Sequence, residues 1–345
     1  MPIRLMFAGF GRTAVEHHLP FLLNNPAYAL AAVYAPSEGT RAMAAKTYGV
    51  KTYADYQDAL AAPDVDLVII LTPNNLHATM AADFLRAGKN VLVTKPWACN
   101  AAEAELVIRA ARESGKQAFP WLPCRWSSDL RSLREIVASG IIGEVFMVRR
   151  CFSSFGKRCD WQTQRAFGGG YLLNWGPHLI DQPMQLVGER ISSVYGVTKR
   201  VINPGDAEDM FLAVLTTQTG KTLIAEYTVC TDANCDWVVQ GTGGTITVKN
   251  DVMQVSVVLQ PAVIDPLKYR NDVTVETHTV ASYAPAHKYG DHREVYRNIA
   301  DALNGRDAYR VSLESAYALT RVLDAVRQSA ETGQVVSPVS YTHLT

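Results

Sequence analysis

The sequence has no excess of charge of either sign, since 33 Lys and Arg residues balance 33 Asp and Glu residues. Proteins that bind nucleic acid or an anionic membrane surface usually carry excess basic charge, so we expect neither partner. No apolar run approaches the roughly 20 residues of a membrane-spanning helix. Residues 1–9 also lack the longer apolar run and the cleavage site of a signal peptide, and we therefore expect a cytoplasmic protein.

Paired cysteines are missing as well. The six cysteines form no CxxC pair and no zinc-finger spacing, so we expect reduced thiols and no bound metal. The chain has 345 residues, of which 48% are hydrophobic. That length and composition are typical of a globular protein with about two domains.

The first motif in the chain is a glycine turn. A short apolar strand at residues 3–8 runs directly into residues 9–14, Gly-Phe-Gly-Arg-Thr-Ala, which fit the GxGxxG/A dinucleotide pattern. Gly9 would make the tight turn, Gly11 would admit a pyrophosphate, and the next helix would direct its positive end at the phosphates. A plain turn is the alternative, because the pattern alone is weak. The residues that we predict to contact the dinucleotide here are Gly9, Phe10, Gly11, Arg12 and Thr13.

Strand-like and helix-like runs then alternate, with strands at residues 29–34, 67–71 and 90–94 and helices at residues 39–48 and 77–87. This alternation predicts an α/β fold with a parallel sheet. Ligands bind at the carboxyl ends of the strands in such sheets. We therefore add the polar residues after two of these strands to the predicted cofactor site: Thr72, Pro73, Asn74, His77 and Lys95.

The end of the second strand bears on the choice of cofactor. An acidic residue there normally binds the ribose hydroxyls of NAD, but Ala35 occupies the position. Ser37 and Arg41 follow and have the chemistry to hold a 2′-phosphate, which favours NADP over NAD. Alternatively, Arg41 lies on a solvated helix face.

A later segment, residues 168–181, places an imidazole after three consecutive glycines. We expect the glycines to let a ligand approach the backbone. A helix that begins near Leu173 would put Asn174, His178 and Asp181 on one face, with Pro177 tolerated in its first turn. The alternative is a glycine turn followed by a core helix.

Several of these stretches together resemble the Gfo/Idh/MocA family of glucose-fructose oxidoreductase and inositol dehydrogenase. The resemblance rests on residues 9–14, 72–74 with His77, 87–96, the turn at 140–145, the His178 segment, and residues 301–305 and 329–333. It implies an N-terminal Rossmann domain and a C-terminal α/β domain with a large, mostly antiparallel open sheet. It also implies a homodimer or homotetramer.

We place the two domains at residues 1–121 and 122–345. The β-rich runs at residues 145–152, 191–199, 210–217, 222–229, 237–241 and 245–248 independently agree with a sheet in the second domain. Residues 340–345 follow what looks like the end of the fold, and we expect them to lie outside it.

The resemblance also implies the catalytic groups. Lys95 matches the lysine of the family's EKP motif, and His178 matches the histidine of its D-x-x-x-H motif. Two residues depart from the pattern: Thr94 replaces a glutamate, and Asn174 replaces an aspartate. An amide cannot carry a proton, so proton transfer falls to Lys95 and His178, or the site has changed its substrate or lost its redox activity.

Two segments, residues 121–126 and 158–162, combine aromatic rings with hydrogen-bonding groups, as sugar sites do. Core tryptophans and solvated arginines are the alternative. The predicted substrate-binding residues are Arg125, Trp126, Asp160, Trp161, Asn174 and Asp181. The resemblance implies an NAD(P)-dependent dehydrogenase of a small carbohydrate-like substrate, oxidised at a ring secondary alcohol. A glycoside-processing enzyme with a recycled NAD, or a non-catalytic nucleotide sensor, are the alternatives.

Overall fold

The computed structural model describes residues 1–233, 235–259, 264–281, 283–284, 287 and 289–338. These residues divide into two compact units. The first contains Met1–Pro123, Asp160–Asn174 and Asp291–Arg321, and the second contains Cys124–Cys159, Trp175–Gly290 and the described residues after Arg321. The single boundary that we placed after residue 121 lies close to the end of the first segment, but two later segments return to the first unit. Residues 340–345 lie outside the described residues.

The described residues form regular elements along the whole chain. The strands are β1 (Ile3–Ala8), β2 (Tyr28–Tyr34), β3 (Lys51–Tyr53), β4 (Leu67–Ile70), β5 (Asn90–Val93), β6 (Ala118–Pro120), β7 (Val145–Ser154), β8 (Ile191–Lys199), β9 (Met210–Thr217), β10 (Thr222–Val229), β11 (Trp237–Gly241), β12 (Gly244–Lys249), β13 (Val252–Leu259) and β14 (Thr274–Thr279). The helices are α1 (Leu19–Leu22), α2 (Glu38–Tyr48), α3 (Tyr56–Leu60), α4 (His77–Arg86), α5 (Ala101–Ser114), α6 (Ser128–Ala138), α7 (Tyr171–Leu179), α8 (Asp181–Val187), α9 (His292–Leu303) and α10 (Leu313–Thr332). Among the residues that the structure describes, no helix combines the length and apolarity needed to cross a bilayer.

The first unit is built on a six-stranded sheet with the order β3-β2-β1-β4-β5-β6, in which every neighbouring pair is parallel. All four residues of β4 are buried, as is typical of a parallel strand covered on both faces. The parallel sheet predicted from the sequence is confirmed. The predicted strand at residues 3–8 matches β1, and the other three predicted strands and the two predicted helices each differ from the observed elements by one residue at one end.

The second unit contains an eight-stranded sheet with the order β14-β13-β12-β11-β7-β10-β9-β8. Its pairs are antiparallel except for β7 and β10, which run parallel. Alternate residues of β9 and β10 are buried, which is typical of a sheet covered on one face. The mostly antiparallel sheet is therefore confirmed. The sequence did not predict β13 or β14. The six residues of β14 are all exposed and carry no apolar alternation.

The segment after the three glycines differs from its prediction. Asn174 and His178 lie one turn apart on α7, but Asp181 begins the separate helix α8, so the three side chains do not share one helix. Pro183 explains the interruption, because it has no N–H to donate to the carbonyl four residues earlier and its ring would clash there.

Pro177 also differs from its prediction. It lies in the interior of α7 rather than in the first turn. Because proline has no N–H, the carbonyl of Leu173 receives no helical hydrogen bond from residue 177. Helix α7 continues past it, and Ile180 still donates to the carbonyl of Gly176. The division between the two compact units falls within this helix, after Asn174.

A buried aromatic cluster stabilises the first unit. The His18 ring contacts the rings of Phe7, Trp121 and Tyr296, and its Nδ1 lies 2.5 Å from the Tyr296 hydroxyl. Burial, together with smaller contributions from His292 and His17, lowers the pKa of His18 to about 3. The imidazole is therefore neutral in the folded protein at neutral pH.

This pKa predicts an acid-sensitive fold. His18 binds a proton near pH 6.5 when the chain is unfolded, but only near pH 3 when it is folded. The unfolded state therefore binds more protons between these values, and stability falls as the pH decreases through that window. The expected loss from this group is about 2 kcal/mol between about pH 7.5 and about pH 5. Urea unfolding at the two pH values measures it.

The control is His18→Asn, which removes the titrating ring but keeps a side-chain oxygen for Tyr296. The variant has lower stability at every pH because it leaves a cavity. Its loss between the two pH values is expected to be about 2 kcal/mol smaller than that of the wild type. The buried His77 and the half-buried His292 also have lowered pKa values, but they are present in both proteins. An equal loss in the two proteins would contradict the role of His18.

Candidate active site

The glycine turn after β1 has the geometry that a dinucleotide needs. Gly9 has φ of +89°, and a Cβ there would lie 2.9 Å from the carbonyl oxygen of Leu71. A Cβ on Gly11, in contrast, would meet no atom within 4 Å. A π-helical turn, Ala14–His18, follows, and Thr13 at its N-terminus makes no side-chain capping bond. Gly9 therefore allows the strands to approach, and Gly11 leaves open space in front of a helix N-terminus, which suits a pyrophosphate.

The other predicted residues of this turn have different environments. The Phe10 ring is buried against Phe7 and Tyr48, with ring centroids 5.5 and 5.7 Å away. Its side chain thus belongs to the core, and only its backbone remains to contact a ligand. The Arg12 side chain is 84% exposed and forms an ion pair with Glu16 one turn later.

The residues after β2 bind their own loop. Ser37 caps α2 by accepting a hydrogen bond from the backbone N–H of Thr40. The Arg41 guanidinium donates through Nη1 to the carbonyl oxygens of Ala35 and Pro36, at 2.8 and 2.6 Å. Arg41 is therefore held beside the end of β2 rather than extended from the helix face. The NADP preference stays a prediction.

The loop after β4 is tied to the loop after β5 by His77. The ring is buried, with Nδ1 2.7 Å from the carbonyl oxygen of Pro96 and Nε2 2.8 Å from that of Thr72. Burial lowers the pKa of His77 although the two carbonyls oppose this shift. The hydroxyl of Thr72 contacts the sulfur of Met80. His77 is thus a structural link between the loops, and its contact with the cofactor stays a prediction.

Asn74 connects the same loop to the glycine segment. Its side-chain amide donates to the carbonyl oxygen of Gly168 over 2.7 Å. A Cβ on Gly168 would lie 2.7 Å from the sulfur of Cys99, and one on Gly169 would lie 2.5 Å from the carbonyl oxygen of Gln162. These two glycines therefore allow the chain to pack against itself. The expectation that they admit a ligand is wrong for this pair.

Lys95 follows β5 directly and is hydrogen-bonded to Asn174. Its Nζ donates to the backbone carbonyl of Asn174 over 2.9 Å and also contacts the side-chain Oδ1 of that residue. The preceding residue, Thr94, is buried and donates its hydroxyl to the carbonyl of Ile70. Two of the contacts of the lysine are therefore with uncharged groups, an amide oxygen and a backbone carbonyl.

Asp160 and Trp161 lie in the same segment of the first unit. The Asp160 carboxylate caps the short helical turn Trp161–Thr163 by accepting from the N–H of Gln162. Asp160 is exposed, and Trp161 is half-buried. Both side chains are therefore accessible from outside this unit's core.

In the second unit, His178 is half-buried and contacts a thiol and an indole. Its Nδ1 lies 3.0 Å from the sulfur of Cys124. The Trp175 ring lies edge-on to the imidazole, with ring centroids 6.1 Å apart. Trp175 in turn stacks on Phe152 at 4.3 Å and approaches Tyr227 at 5.1 Å. His178 is thus surrounded by an aromatic cluster on one side and a sulfur on the other.

Arg125 and Asp181 bind each other. The guanidinium donates from Nε and Nη2 to the two carboxylate oxygens, each over 2.8 Å, and both side chains are buried. Trp126, the third predicted substrate-binding residue here, is 2% exposed. These three side chains are therefore engaged in the interior of the unit, which differs from the substrate contacts that we predicted for them.

Sequence reasoning missed the neighbours of His178. Cys124 had no motif that indicated a partner, because no CxxC or metal spacing includes it. Trp175 was the signal that could have been used, since it lies in the same helix three residues before His178. We assigned the sugar-binding rings instead to other tryptophans.

Comparisons with known proteins agree with a dinucleotide-binding fold followed by a second domain. A family model described as an oxidoreductase family with an NAD-binding Rossmann fold matches residues 3–120, and a model of the GFO/IDH/MocA C-terminal domain matches residues 130–247. The chain is 28% identical over 246 residues to the uncharacterized oxidoreductase YdgJ of Escherichia coli (strain K12), covering 70% of each protein. It is 28% identical over 128 residues to the scyllo-inositol 2-dehydrogenase (NADP(+)) IolW of Bacillus subtilis (strain 168), covering 36% of each. An NAD-binding protein from Listeria innocua has a similar structure, with a TM-score of 0.85, 26% identity and coverage of 100% of this chain and 99% of that one.

Substitution of the two glycines of the turn is expected to change different properties: stability for Gly9 and dinucleotide binding for Gly11. Gly9→Ala is expected to lower the free energy of unfolding by about 2 kcal/mol or more, because of its positive φ and the contact with Leu71. Gly11→Val is expected to leave stability within about 1 kcal/mol of the wild type but to weaken NADH binding by about tenfold or more, because the side chain fills the open space. Thermal unfolding and a fluorescence titration with NADH measure the two quantities. If Gly11→Val binds NADH as the wild type does, the space does not hold the pyrophosphate.

Proposed function

The chain belongs to the Gfo/Idh/MocA family of NAD-binding oxidoreductases, and from that premise we propose that it transfers a hydride between a nicotinamide dinucleotide and a ring secondary alcohol. The substrate class that we propose is a sugar, cyclitol or glycoside.

One observation carries this proposal: an amine lies at the carboxyl edge of the dinucleotide-binding sheet and is oriented there by hydrogen bonds to Asn174. Lys95 follows β5, and its Nζ donates to the backbone carbonyl of Asn174. Ligands of parallel sheets bind at that edge. An amide oxygen and a carbonyl stabilise an ammonium less than a carboxylate does, so the hydrogen bonds to Asn174 orient Lys95 without a strong Coulombic attraction from that residue.

The roles of the side chains follow from this arrangement. A bound nicotinamide supplies the hydride acceptor. Lys95 takes the proton of the substrate hydroxyl in oxidation and returns it in reduction. His178 is a second proton carrier, since imidazole titrates close to neutral pH. Asn174 orients Lys95 and carries no proton.

Two observations support a polyhydroxylated ring as the substrate. In the second unit, the half-buried Trp175 lies beside His178 and extends an aromatic surface to Phe152. Aromatic rings bind the C–H faces of sugars and cyclitols, while polar groups bind the hydroxyls. The name of the relative IolW describes a dehydrogenase of such a ring. Arg41, which is held beside the end of β2, supports NADP as the preferred dinucleotide.

A substrate panel tests the proposal. Purified protein is incubated with NAD or NADP and a set of inositols, free sugars and methyl glycosides, and the absorbance of the reduced nicotinamide is followed. The corresponding ketones are tested with the reduced dinucleotides. We expect turnover of at least one compound in each direction. Lack of turnover in both directions with every compound contradicts the proposal, and a copurifying nucleotide without net consumption of added NAD(P) indicates the recycled-cofactor alternative.

Variants then connect the activity to Lys95. Lys95→Met is expected to lower kcat by about 10²–10⁴-fold, because a positioned proton-transfer group contributes that much, while NADH still binds. Lys46→Met is the matched control, since Lys46 is an exposed lysine of α2. Equal activity of the two variants would remove Lys95 from the mechanism.

Asn174→Asp tests the uncharged partner. The new carboxylate favours the charged ammonium of Lys95, so the acid limb of the kcat/KM profile for oxidation is expected to move to higher pH by about one unit or more. Activity near pH 7 falls, and it recovers at alkaline pH. Asn174→Leu removes the side-chain acceptor without adding charge, and its profile is expected to keep the position of the acid limb. A limb that does not move in Asn174→Asp shows that Lys95 is not the titrating base.

A further inference from the structure

The thiol of Cys124 is the contact of His178 that the proposed function does not use. Cys124 lies in the short turn Pro123–Trp126, is 3% exposed, and has its sulfur 3.0 Å from Nδ1 of His178. Both residues belong to the second unit. The contact involves Nδ1, the ring nitrogen nearer the backbone, and Nε2 is the nitrogen at the outer end of this half-buried ring.

A second contact of the same sulfur indicates where the thiol hydrogen of Cys124 points and whether Nδ1 of His178 carries a hydrogen. Sγ of Cys124 also lies 3.7 Å from the carbonyl oxygen of Tyr289, toward which the thiol donates. A carbonyl oxygen can only accept, and a thiol has one hydrogen. If that hydrogen is directed at Tyr289, the sulfur presents lone pairs to Nδ1. The hydrogen between the two residues then belongs to the imidazole, and Nδ1–H donates to the sulfur.

We propose that Cys124 is a positioning residue that holds His178 as the Nδ1–H tautomer, so that the unprotonated Nε2 acts as the second proton acceptor of the reaction. The catalytic meaning of this assignment rests on the proposed function, but the tautomer itself does not. As the second proton carrier, His178 takes up at Nε2 a proton released in oxidation, and the imidazolium then donates from Nδ1 to the sulfur. In reduction, the proton leaves from Nε2 again.

The surrounding hydrogen bonds fix the distance between thiol and imidazole. The buried pair of Arg125 and Asp181 connects the residue after Cys124 to the start of α8. The side chain of Gln182 donates to Ser127 over 3.0 Å and to the backbone carbonyl of Cys124 over 3.4 Å, and it accepts from Arg150 over 3.0 Å. The turn that carries the thiol and the helices on either side of Ile180 are therefore held together at several points. Such bracing is what a positioning group requires.

A thiol performs this task differently from a carboxylate. The carboxylate that orients a catalytic histidine in a serine protease also stabilises the imidazolium by its charge. A neutral thiol accepts only weakly, so it sets the tautomer and the ring orientation and adds little attraction for the proton. A thiol is also buried at low cost, whereas a carboxylate in the same place needs a cation, as Asp181 has in Arg125.

The tautomer can be measured without any substrate. In protein labelled with ¹⁵N-histidine, the shifts of the two ring nitrogens distinguish Nδ1–H from Nε2–H at a pH where His178 is neutral, and His178→Gln assigns the resonance. We expect the Nδ1–H pattern in the wild type and in Cys124→Ser, whose hydroxyl can also accept from Nδ1–H. Cys124→Ala is expected to shift the population toward Nε2–H. Cys151→Ala, which removes another buried thiol, is expected to leave the pattern unchanged.

Kinetics test the positioning role. With a substrate from the panel, Cys124→Ala is expected to lower kcat for oxidation roughly tenfold with little change in KM. This loss is smaller than the contribution of a positioned base, because the base itself is retained. Cys124→Ser is expected to restore most of it. An Nε2–H pattern in the wild type overturns the inference even if the protein is an active dehydrogenase. An Nδ1–H pattern that Cys124→Ala does not change also overturns it. If the pattern appears and depends on Cys124 but no compound is turned over, the tautomer assignment stands and the proposed function fails.

Discussion

The hydrogen bonds between Lys95 and Asn174 are the interaction on which the arrangement of the first unit's functional residues depends. They join the end of β5 to a segment 79 residues later in the chain. The link from Asn74 to Gly168 adds a second connection between the same sheet edge and that segment. Together they explain why Asp160–Asn174 belongs to the first unit although the chain has already entered the second. The lysine therefore has a structural role as a link between segments in addition to its proposed chemical role.

A common feature of the two proposed proton carriers is an uncharged partner. Lys95 donates to an amide oxygen and a carbonyl, and His178 contacts a thiol. The buried carboxylate of Asp181 is already bound to Arg125. Uncharged partners orient a side chain through hydrogen bonds without holding its proton by a strong Coulombic attraction. The departures from the family pattern at positions 94 and 174 are therefore compatible with acid-base chemistry, because orientation is retained while the charge is lost.

Glycines illustrate how much of the site could be predicted. Gly9 and Gly11 were assigned separate roles from their positions after β1, and the structure shows the close backbone approach at one and the open space at the other. Gly168 and Gly169 also lie in a glycine-rich turn, and we expected them to admit a ligand. In the structure they instead allow packing against Cys99 and Gln162. The difference could not be predicted because glycine permits a close approach to any atom, and only the folded chain determines whether that atom belongs to a ligand or to the protein.

The sequence by itself determined the elements whose signals are local. Alternating apolar strands and helices specified the parallel sheet, and the strand ends specified where Gly9, Thr72 and Lys95 would lie, because hydrophobic periodicity and turn residues act over a few neighbouring positions. Only the tertiary structure decided which side chains are partners. Cys124 meets His178 across 54 residues, and Arg125 meets Asp181 across 56. Such contacts depend on how distant segments pack, and a single sequence carries no local signal for that.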